Sequence, residues 1–477
     1  MAKKDRIRVS FGHNAENVTG SYTLIECGSS GKTILVDFGM IQENTSLLKE
    51  YQMNAKRPDF KIKDVDYIFV THAHIDHSGR LPMLYRYGCE APIFIPEGSK
   101  ELYEAMIMDS VNIVQKDAGD LTKKLKKEYE PFYDEEDATV CFTAMEECRV
   151  GEKIQLDDNI TFQLNYNAHI FKSVSITLWI KNGSQTRKII ITGDWGNLTN
   201  KQKFTEEFVQ FDNCNLLIGE ATYADNKRQS SVKDRIKDYE KIKAAVDTVC
   251  RERKGRILIP TFAFGRTPTM LATFYDIFHE DETFDIPVYY ASPLGVKLLN
   301  IFLKELDKEQ SEYLKEVLAW DKLKVLNSFE EFDKIIKDSS PKIVLAPSGM
   351  MQAGYSCYAA TVFLPHSADM IMFCGYSAEG SLSRKIKDKK TKTITIDGKV
   401  YHSRCQVCTL NSFSSHAQKQ DLISVYSGGN TNYDKIALVH SDLKGKTIFC
   451  KELQEELSKR NKATKVICVN NSTTITL

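Results

Sequence analysis

The sequence predicts an α/β protein, with a strand-rich beginning and a longer region in which strands and helices alternate. The first forty residues read as a strand meander, in which the apolar runs IRVSF, SYTLIEC and KTILVDFG are separated by glycine-containing turns. From about residue 209, short apolar runs such as RILIP, IPVYY, KIVLA and MIMFC alternate with helical segments. That alternation is typical of a parallel sheet, whose ligands bind beyond the carboxyl ends of its strands.

Length and composition exclude several classes of protein. A chain of 477 residues is long enough for two or three domains, and no apolar run approaches the roughly 20 residues of a membrane helix. The amino-terminal MAKKDRIRVSF passes directly into a strand without the apolar core of a signal peptide, so we expect a cytoplasmic protein. Lysine plus arginine equals aspartate plus glutamate, at 64 each, so any polyanion must be bound locally.

The twelve cysteines do not predict a disulfide framework. Most lie in apolar, strand-like settings, where a reduced thiol packs as a small hydrophobic group. Cys405 and Cys408 in RCQVC form the one close pair and could be half of a zinc site. No second pair of this kind completes such a site, which favours a structural interpretation.

The most informative segment is THAHIDHSGRLP, which follows the predicted strand DYIFV. Leu81, Leu84 and Tyr85 have helical spacing, and Ser78 is placed to cap that helix. The histidine cluster is therefore predicted in a strand-to-helix turn. Farther along, the charged run KKLKK in the helical region 100–135 is interpreted as a solvated helix face.

Six of the ten histidines lie at predicted strand ends or in the turns that follow, and these are His72, His74, His77, His169, His416 and His440. The spacing H-x-H-x-D-H lets residues two apart face one metal ion while the next Asp-His pair faces another. Neither set reaches four ligands from the turn alone. His169, Asp194 and His440 each follow a predicted strand and could complete them. Two metal ions bridged by a carboxylate would activate water and stabilise an in-line displacement at phosphorus.

THAHIDHSGRLP resembles the signature of the metallo-beta-lactamase superfamily, and the order of the other segments resembles its beta-CASP nuclease branch over nearly the whole chain. The resemblance implies an αββα sandwich with an α/β beta-CASP cap domain inserted between Asp194 and His416. The expected domains are 1–208, the first part of the metallo-beta-lactamase domain, 209–390, the insert, and 391–477, the second part. Asp37 matches the first motif, whose aspartate supports the ligands without being one.

The resemblance also implies a dinuclear zinc centre, with Mn²⁺ as the alternative ion. His72, His74 and His169 would hold one zinc ion, Asp76, His77 and His440 the other, and Asp194 would bridge them. Glu220 in IGEATYAD is similar to motif A of the branch, His416 in FSSHAQKQDL to motif B, and His440 in LVHSD to motif C. A histidine at motif C resembles the RNA-processing members, whereas the DNA-directed members carry valine.

The implied function is that of a zinc-dependent ribonuclease, cutting RNA internally or from the 5′ end at a metal centre in the cleft between two domains. Asp76 would orient the attacking water, and His416, held by Glu220, would protonate or stabilise the departing 3′ oxygen. Without the resemblance, Glu220 could equally be a strand-end salt-bridge partner and His416 a helix-start polar residue. The expected partner is single-stranded RNA, with a homodimer left open and no membrane association.

Some positions depart from the pattern of the family. Ala168 and Lys172 stand where its third motif has glycine, and Lys172 is expected to point to solvent rather than to contact a phosphate. Two alternatives stay open: a catalytically impaired nucleic-acid-binding subunit, and a small-molecule, thioester-type metallohydrolase on the same fold. The complete ligand set argues against the first, and the insert together with His416 argues against the second.

Three loops of the expected insert, IPTFAFGRTP, APSGMMQAG and GYSAEGSLSR, are similar to the phosphate-side and packing loops of the branch. The basic run at 384–392 is interpreted as a solvated loop rather than as an RNA contact. Grip on a polymer would therefore come mainly from the insert and the cleft.

Overall fold

The computed structural model describes residues 6–43, 45–224, 231–375, 377, 380–389, 391–429 and 431–477. These residues form two compact units. Unit 1 holds 6–198, 205–224 and 416–477, apart from the positions just excepted, and unit 2 holds 199–204 and 231–415. No helix of the described part of the chain combines the length and apolar character needed to cross a lipid bilayer.

The described residues form short strands throughout the chain. In chain order the strands are β1 (Ile7–Phe11), β2 (Thr23–Cys27), β3 (Thr33–Val36), β4 (Tyr67–Phe69), β5 (Ile93–Pro96), β6 (Met145–Cys148), β7 (Lys153–Gln155), β8 (Ile160–Tyr166), β9 (Val174–Asn182), β10 (Gln185–Ile191) and β11 (Cys214–Glu220). They continue as β12 (Arg256–Pro260), β13 (Val288–Ala291), β14 (Leu323–Leu326), β15 (Lys342–Ala346), β16 (Met370–Phe373), β17 (Thr393–Ile396), β18 (Lys399–His402), β19 (Gln406–Thr409), β20 (Tyr433–Val439), β21 (Lys465–Cys468) and β22 (Thr474–Thr476).

Helices separate many of these strands. Those between β3 and β6 are α1 (Leu47–Ala55), α2 (Ile75–Ser78), α3 (Leu81–Arg86), α4 (Lys100–Leu125) and α5 (Glu135–Thr143). Those of unit 2 are α6 (Val232–Ala245), α7 (Arg266–Phe278), α8 (Pro293–Glu305), α9 (Lys308–Ala319), α10 (Phe329–Lys337), α11 (Gly354–Phe363) and α12 (Leu382–Asp388). The last two are α13 (Lys419–Ser427) and α14 (Leu443–Lys459).

Unit 1 is built on two seven-stranded sheets. Sheet A has the order β22-β1-β2-β3-β4-β5-β6, and sheet B has the order β21-β20-β11-β10-β9-β8-β7. Because alternate residues of a strand point to opposite faces, each sheet turns one apolar face toward the other. The shared core includes Ile7, Val9, Ile25, Phe69 and Phe94 of sheet A and Phe162, Ile176, Leu178, Ile189 and Ile218 of sheet B.

Helices pack on the outer faces of both sheets of unit 1, and on sheet B they lie over β11, β20 and β21. Leu217, Ile436 and Leu438 on sheet B pack against α13 and α14 through Leu422, Phe449 and Leu453. On the outer side of sheet A, Ile68, Ile93 and Ile95 are fully buried, and the Tyr103 hydroxyl of α4 donates to the Val70 carbonyl after β4. The αββα sandwich implied by the resemblance is confirmed.

Unit 2 contains a six-stranded sheet, sheet C, with the order β14-β13-β15-β12-β16-β19. Every adjacent pair in it is parallel, which confirms the parallel sheet predicted from alternating strands and helices. Two of the three loops likened to phosphate-side and packing loops follow β12 and β15 at the carboxyl edge of this sheet. The third follows β16, and its Tyr376, Ala378 and Glu379 lie outside the described residues, as does Lys390 of the basic run.

The two units do not divide the chain where the composition changes. Residues 209–224, expected at the start of the insert, belong to unit 1, because β11 pairs in parallel with β10 and β20 of sheet B. Residues 391–415, expected in the second part of the first domain, belong to unit 2, because β19 pairs with β16 of sheet C. An apolar strand followed by a helix has the same sequence pattern in sheet B and in sheet C, so the sequence does not predict which sheet such a strand joins.

The cysteine pair proposed as half of a zinc site lies in unit 2. Cys405 is buried in the core of that unit with Ile386 and Ile394, and Cys408 lies on β19. Among the described residues, neither belongs to a cluster of three or more metal-binding side chains. The structural interpretation of this pair stays a prediction.

Candidate metal centre

The predicted donors lie at one edge of unit 1, because nearly all of them follow the carboxyl end of a strand. The strands β10, β11 and β20 are parallel neighbours, so Asp194, Glu220 and His440 come together where these strands end. The segment after β4 carries the histidine cluster, and β8 leads to His169. His416 reaches the same edge through an antiparallel bridge with Gly196.

The histidine cluster combines an extended turn with one turn of helix. His72 and His74 lie in the turn after β4, whereas Asp76 and His77 lie on α2. Ser78 ends α2, and its hydroxyl donates to two carbonyls of the preceding turn at 3.2 and 3.1 Å. The prediction that Ser78 caps the helix of Leu81 is wrong, because this hydroxyl is used within the preceding turn.

Asp37 supports the histidine cluster from the end of β3, as the resemblance implied. It follows β3 with a φ of 61°, a left-handed conformation that aspartate tolerates better than most residues. Its Oδ1 accepts a hydrogen bond from the Thr71 amide at 2.8 Å, and its Oδ2 lies 2.8 Å from Nδ1 of His77. A carboxylate on one ring nitrogen fixes the ring and directs the other nitrogen, Nε2, into the site.

A glycine makes this arrangement possible. A Cβ on Gly39 would lie 1.6 Å from the carbonyl oxygen of Asp76, so no other residue lets the chain after Asp37 pass this close to α2. The amide of Phe38 also donates to the His77 carbonyl at 2.7 Å. The sequence VDFG thus holds α2, and with it two donors, against sheet A.

The donors form two compact groups around Asp194. His72, His74 and His169 make one group, and Asp76, His77, Asp194 and His440 make the other, with the donor atoms of each group within 4.8 Å of one another. Oδ2 of Asp194 lies 3.8 Å from Nε2 of both His72 and His169, and 3.5 Å from Nε2 of His77. Its Oδ1 lies 3.2 Å from Nδ1 of His440. Asp194 therefore contacts donors of both groups.

Glu220 and His416 form a pair beside these groups, and with Asp194 and His440 they make a third cluster whose donor atoms also lie within 4.8 Å of one another. Nδ1 of His416 lies 3.3 Å from Oε2 of Glu220 and 4.0 Å from Oδ2 of Asp194. The Glu220 carboxylate is 1% exposed and accepts hydrogen bonds from the amides of Trp195 and Thr222, at 2.8 and 3.3 Å. A buried carboxylate held by two amides gives the imidazole a fixed, negatively charged partner.

The loop that carries His169 has an unusual backbone. Ala168 and Lys172, which stand in place of glycines, both have positive φ, at 62° and 59°. Hydrogen bonds within unit 1 hold this conformation: the Glu206 carboxylate accepts from the Lys172 amide at 2.9 Å, and Ser173 Oγ accepts from the His169 amide at 3.1 Å. Lys172 is partly exposed, with its Nζ 5.4 Å from the Phe171 ring centroid.

The burial of the site sets the charge of its groups. Burial lowers the pKa of His74 to about 4, and burial with the neighbouring His77 and His74 places the pKa of His72 well below its usual value. Burial alone would raise the pKa of Asp194, but His440 and His77 outweigh it and hold that pKa well below its usual value. Neutral imidazoles and an ionised carboxylate are the forms that bind a metal cation.

The residues fit divalent metal ions on the evidence of their unmatched donors. His77 Nε2, His440 Nε2 and Asp194 Oδ1 are buried atoms that make no hydrogen bond of good geometry among the described residues, although Asp194 Oδ1 lies 3.2 Å from Nδ1 of His440. Burial lowers the pKa of His77, yet Asp194 and Asp37 outweigh it and hold that pKa well above its usual value, so the place favours a cation. Imidazole nitrogens with carboxylate oxygens are the donor set that zinc and similar ions prefer.

Comparison with known proteins gives the same assignment over most of the chain. Residues 16–124 match the model of the metallo-beta-lactamase superfamily, residues 267–386 match the Beta-Casp domain, and residues 400–464 match the Zn-dependent metallo-hydrolase RNA specificity domain. The chain belongs to the beta-CASP branch of the metallo-beta-lactamase superfamily. For this beta-CASP protein, family membership and the His/Asp clusters together indicate divalent metal binding.

Three relatives of this beta-CASP protein, from different organisms, are similar to it over most of its length. Transcription termination factor FttA of Methanocaldococcus jannaschii is 27% identical over 91% of this chain and 67% of its own length. Ribonuclease TTHA0252 of Thermus thermophilus is 26% identical over 91% of this chain and 93% of its own. Integrator complex subunit 11 of Danio rerio is 24% identical over 93% of this chain and 70% of its own.

Two supporting residues of this beta-CASP site were not found from the sequence. Oγ1 of Thr222 lies 2.9 Å from Nδ1 of His440, and Glu206 holds the loop of His169. Thr222 follows Glu220 by two positions after a buried strand, which is a weak signal, and Glu206 lies in an irregular segment with no pattern at all. Such supports are recognised only when the fold places them beside a donor.

Proposed function

We propose that the chain is a metal-dependent ribonuclease that hydrolyses RNA phosphodiester bonds at the donor clusters of unit 1. The observation that carries this proposal is the shared contact of Asp194 with both donor groups, beside the Glu220–His416 pair. The match to an RNA specificity domain and the similarity to a ribonuclease of Thermus thermophilus support RNA as the substrate. His440, the residue at motif C, also resembles the RNA-processing members of the branch.

The proposed ions are two Zn²⁺, with Mn²⁺ as the alternative. His72, His74 and His169 would hold one ion, and Asp76, His77 and His440 would hold the other, with Asp194 between them. When bound, such ions supply Lewis-acid chemistry, lowering the pKa of water and neutralising charge at phosphorus.

The side chains would divide the remaining work between the two ends of the scissile bond. Asp76, whose Oδ2 lies 3.5 Å from Nε2 of His440, would accept a hydrogen bond from the attacking water and orient it. His416, with Nδ1 toward Glu220, would deliver a proton from Nε2 to the departing 3′ oxygen. The Glu220 carboxylate stabilises the protonated imidazole until then, and the products are a 5′ phosphate and a 3′ hydroxyl.

Single-stranded RNA is the proposed form of the substrate, because a flexible strand can bring a phosphodiester to buried donors without distorting a duplex. A cytoplasmic location is proposed with it, since none of the twelve cysteines, all of which lie in the described part of the chain, forms a disulfide, as expected in a reducing compartment. The homodimer and the choice between internal cleavage and digestion from the 5′ end stay predictions.

The proposal is tested with purified protein and a single-stranded RNA labelled at its 5′ end. We expect cleavage that a chelator abolishes and that added Zn²⁺ or Mn²⁺ restores. His416→Ala should retain the metal content of the wild type and lose at least about a hundredfold in cleavage rate, the usual size of a general-acid contribution. His279→Ala, a histidine of α7's carboxyl end in unit 2, is the control and should cleave as the wild type does.

Single-stranded DNA and a thioester substrate are assayed in parallel. Turnover of the thioester without RNA cleavage would replace the ribonuclease by a small-molecule hydrolase, and no turnover despite full metal content would indicate a binding subunit. An unchanged rate in His416→Ala would remove this histidine from the mechanism. The length of the first labelled product distinguishes internal cleavage from digestion at the 5′ end.

A further inference from the structure

The outer face of sheet B changes character across its width. Near α13 and α14 it is apolar, but on β7 to β10 most outward residues are polar; on β9, Ser175 and Thr177 are buried, Trp179 is half-buried and Lys181 is exposed. Alternation along β9 places Ile176, Leu178 and Ile180 in the core and sends Thr177, Trp179 and Lys181 outward. The indole of Trp179 therefore lies outside the core between the two sheets, in a groove lined by both polar and apolar side chains.

Trp179 lies in an open groove of about 290 Å³, which we call the Trp179 groove. The groove is lined by Lys153, Gln163, Asn165, Ser175, Thr177, Trp179, Lys188, Ile190, Val209, Gln210, Phe211 and Asp212. Nζ of Lys153 lies 4.5 Å from the centroid of the indole, and Nζ of Lys188 lies 5.4 Å from it. The groove thus combines an aromatic ring, two ammonium groups and the side-chain amides of Gln163 and Asn165.

The register of the strands places the ring, the two ammonium groups and the amides next to one another. Trp179 is paired with Lys188 of β10 on one side and with Thr161 of β8 on the other. Lys153 of β7 is paired with Gln163, the next outward residue of β8. The groups that surround the ring are therefore held by three rigid ladders of sheet B.

We propose that the Trp179 groove binds single-stranded RNA at a distance from the metal centre, with a base stacked on the indole and neighbouring phosphates on Lys153 and Lys188. Aromatic rings with adjacent cations are the elements by which proteins hold single strands without reading their sequence. An exposed cation–π contact is weaker than the stacking of a base on an aromatic ring. A base can therefore replace the two ammonium groups on the indole, and the ammonium groups can then bind phosphates. The choice of RNA rests on the proposed function.

One carboxylate opposes this assignment and gives it a sharp test. Asp212 lies at the rim, with its side chain 75% exposed, and Oδ2 is 2.7 Å from Nζ of Lys188. It neutralises part of the charge of the two lysines and would repel a phosphate. Removing that charge should therefore strengthen the binding of RNA, an effect that loss of a merely structural ion pair would not produce.

The position of the groove suggests what it does for catalysis. From Thr161, opposite Trp179, the strand β8 runs five residues to Tyr166 and then enters the loop of His169. Five residues at about 3.3 Å each place the ring roughly 17 Å from the end of that strand. A strand of several nucleotides could therefore occupy the groove and the metal centre together, whereas a dinucleotide could not.

Binding is measured by fluorescence anisotropy of a labelled 20-nucleotide RNA in the presence of a chelator, so that no cleavage occurs. We expect Trp179→Leu to weaken binding about tenfold or more, Trp179→Phe to keep most of it, and Asp212→Asn to strengthen it severalfold. Lys153→Ala should reduce the salt dependence of log K by about 0.7, the value for one phosphate of a single strand. Lys116→Ala, an exposed lysine of α4, is the matched control and should change neither quantity.

Cleavage assays complete the test. Trp179→Leu should raise KM for a 20-nucleotide RNA and leave the rate on a dinucleotide unchanged, which also shows that the variant is folded. Unchanged RNA affinity in Trp179→Leu, or equal binding of inorganic polyphosphate, would overturn the proposal. Loss of self-association in Trp179→Leu, with RNA binding intact, would assign the groove to a second copy of the chain. Trp179-dependent RNA binding by a protein that cleaves no RNA would defeat the proposed function alone.

Discussion

Two segments of unit 1 bring histidines to the metal centre, and they are built on opposite plans. The segment 71–78 carries four donors, and one buried carboxylate, Asp37, fixes it through Thr71 and His77. The segment 167–173 carries one donor, His169, and is held by several side chains, including Glu206 from outside the segment. Both segments thus depend on a carboxylate 34 residues away in the sequence, but Asp37 also orients the ring of a donor, whereas Glu206 holds only the backbone of its loop.

The second segment also bears backbone strain that the first avoids. In 71–78 the described backbone has no positive φ, and the nearby left-handed position is taken by Asp37, a residue that tolerates it. In 167–173 both Ala168 and Lys172 are left-handed. Non-glycine residues in that region persist when the surroundings fix them, and here the hydrogen bonds of Asn167, Ser173 and Glu206 do so.

The largest expected effect comes from removing the support of the first segment. Asp37→Ala leaves His77 without the carboxylate that orients its ring, so metal affinity should fall about 10- to 100-fold, the usual cost of losing such a partner. Metal affinity is measured by competition with a chelator, and folding by circular dichroism. Asp66→Ala is the control: it removes another carboxylate of sheet A, which accepts from the Thr33 amide at 2.8 Å, and should leave metal affinity unchanged. Equal losses in both variants would show a general effect on stability.

A pH-dependent effect is expected at the support of the second segment. Burial raises the pKa of Glu206 from 4.5 to about 7, so the folded protein holds a proton there that the unfolded chain has lost. The resulting stability is fully present below pH 4.5 and is lost as the pH rises through about 7. Glu206→Gln cannot titrate and keeps an oxygen for the Lys172 amide. Its free energy of unfolding should match that of the wild type near pH 4.5 and exceed it above pH 7, by an amount of the order of 1 kcal/mol.

Thermal unfolding followed at pH 4.5, 6 and 8 checks this. Glu207→Gln removes a charge from the exposed neighbouring residue and controls for net charge alone. A constant difference between Glu206→Gln and the wild type across this range would show that the pKa of Glu206 is the same in the folded protein and in the unfolded chain.

The difference between the segments 71–78 and 167–173 explains which parts of the site could be predicted from the sequence. The donors of 71–78 share one short pattern, and His169, Asp194, Glu220 and His440 each follow an apolar strand, so their meeting at one edge follows from the fold class. Glu206 and Thr222 belong to no sequence pattern that predicts a role in the site. Their roles arise from contacts between segments that are distant in the sequence, as does the pairing of β11 with β10 and β20.

Local structure was harder to predict than the location of the donors. The one-turn helix α2 begins at Ile75, before the predicted cap at Ser78, because the turn is held by Asp37 and by the close approach at Gly39. Helical spacing marks only Leu81 and the residues after it. A helix of four residues cannot show a periodicity of its own.

The smallest effect expected is also the one that isolates the strain of the second segment. Lys172→Gly relieves a left-handed backbone at φ 59° and keeps the amide that donates to Glu206, so the protein should gain about 0.5 to 1 kcal/mol. The same substitution at Lys61, an exposed lysine with φ −78°, should lose a similar amount, because glycine gains freedom only in the unfolded chain. Calorimetric unfolding temperatures of the two variants should therefore shift in opposite directions. A loss of stability in Lys172→Gly would mean that the contacts of the Lys172 side chain with Phe171 and Tyr166 outweigh the strain at its backbone.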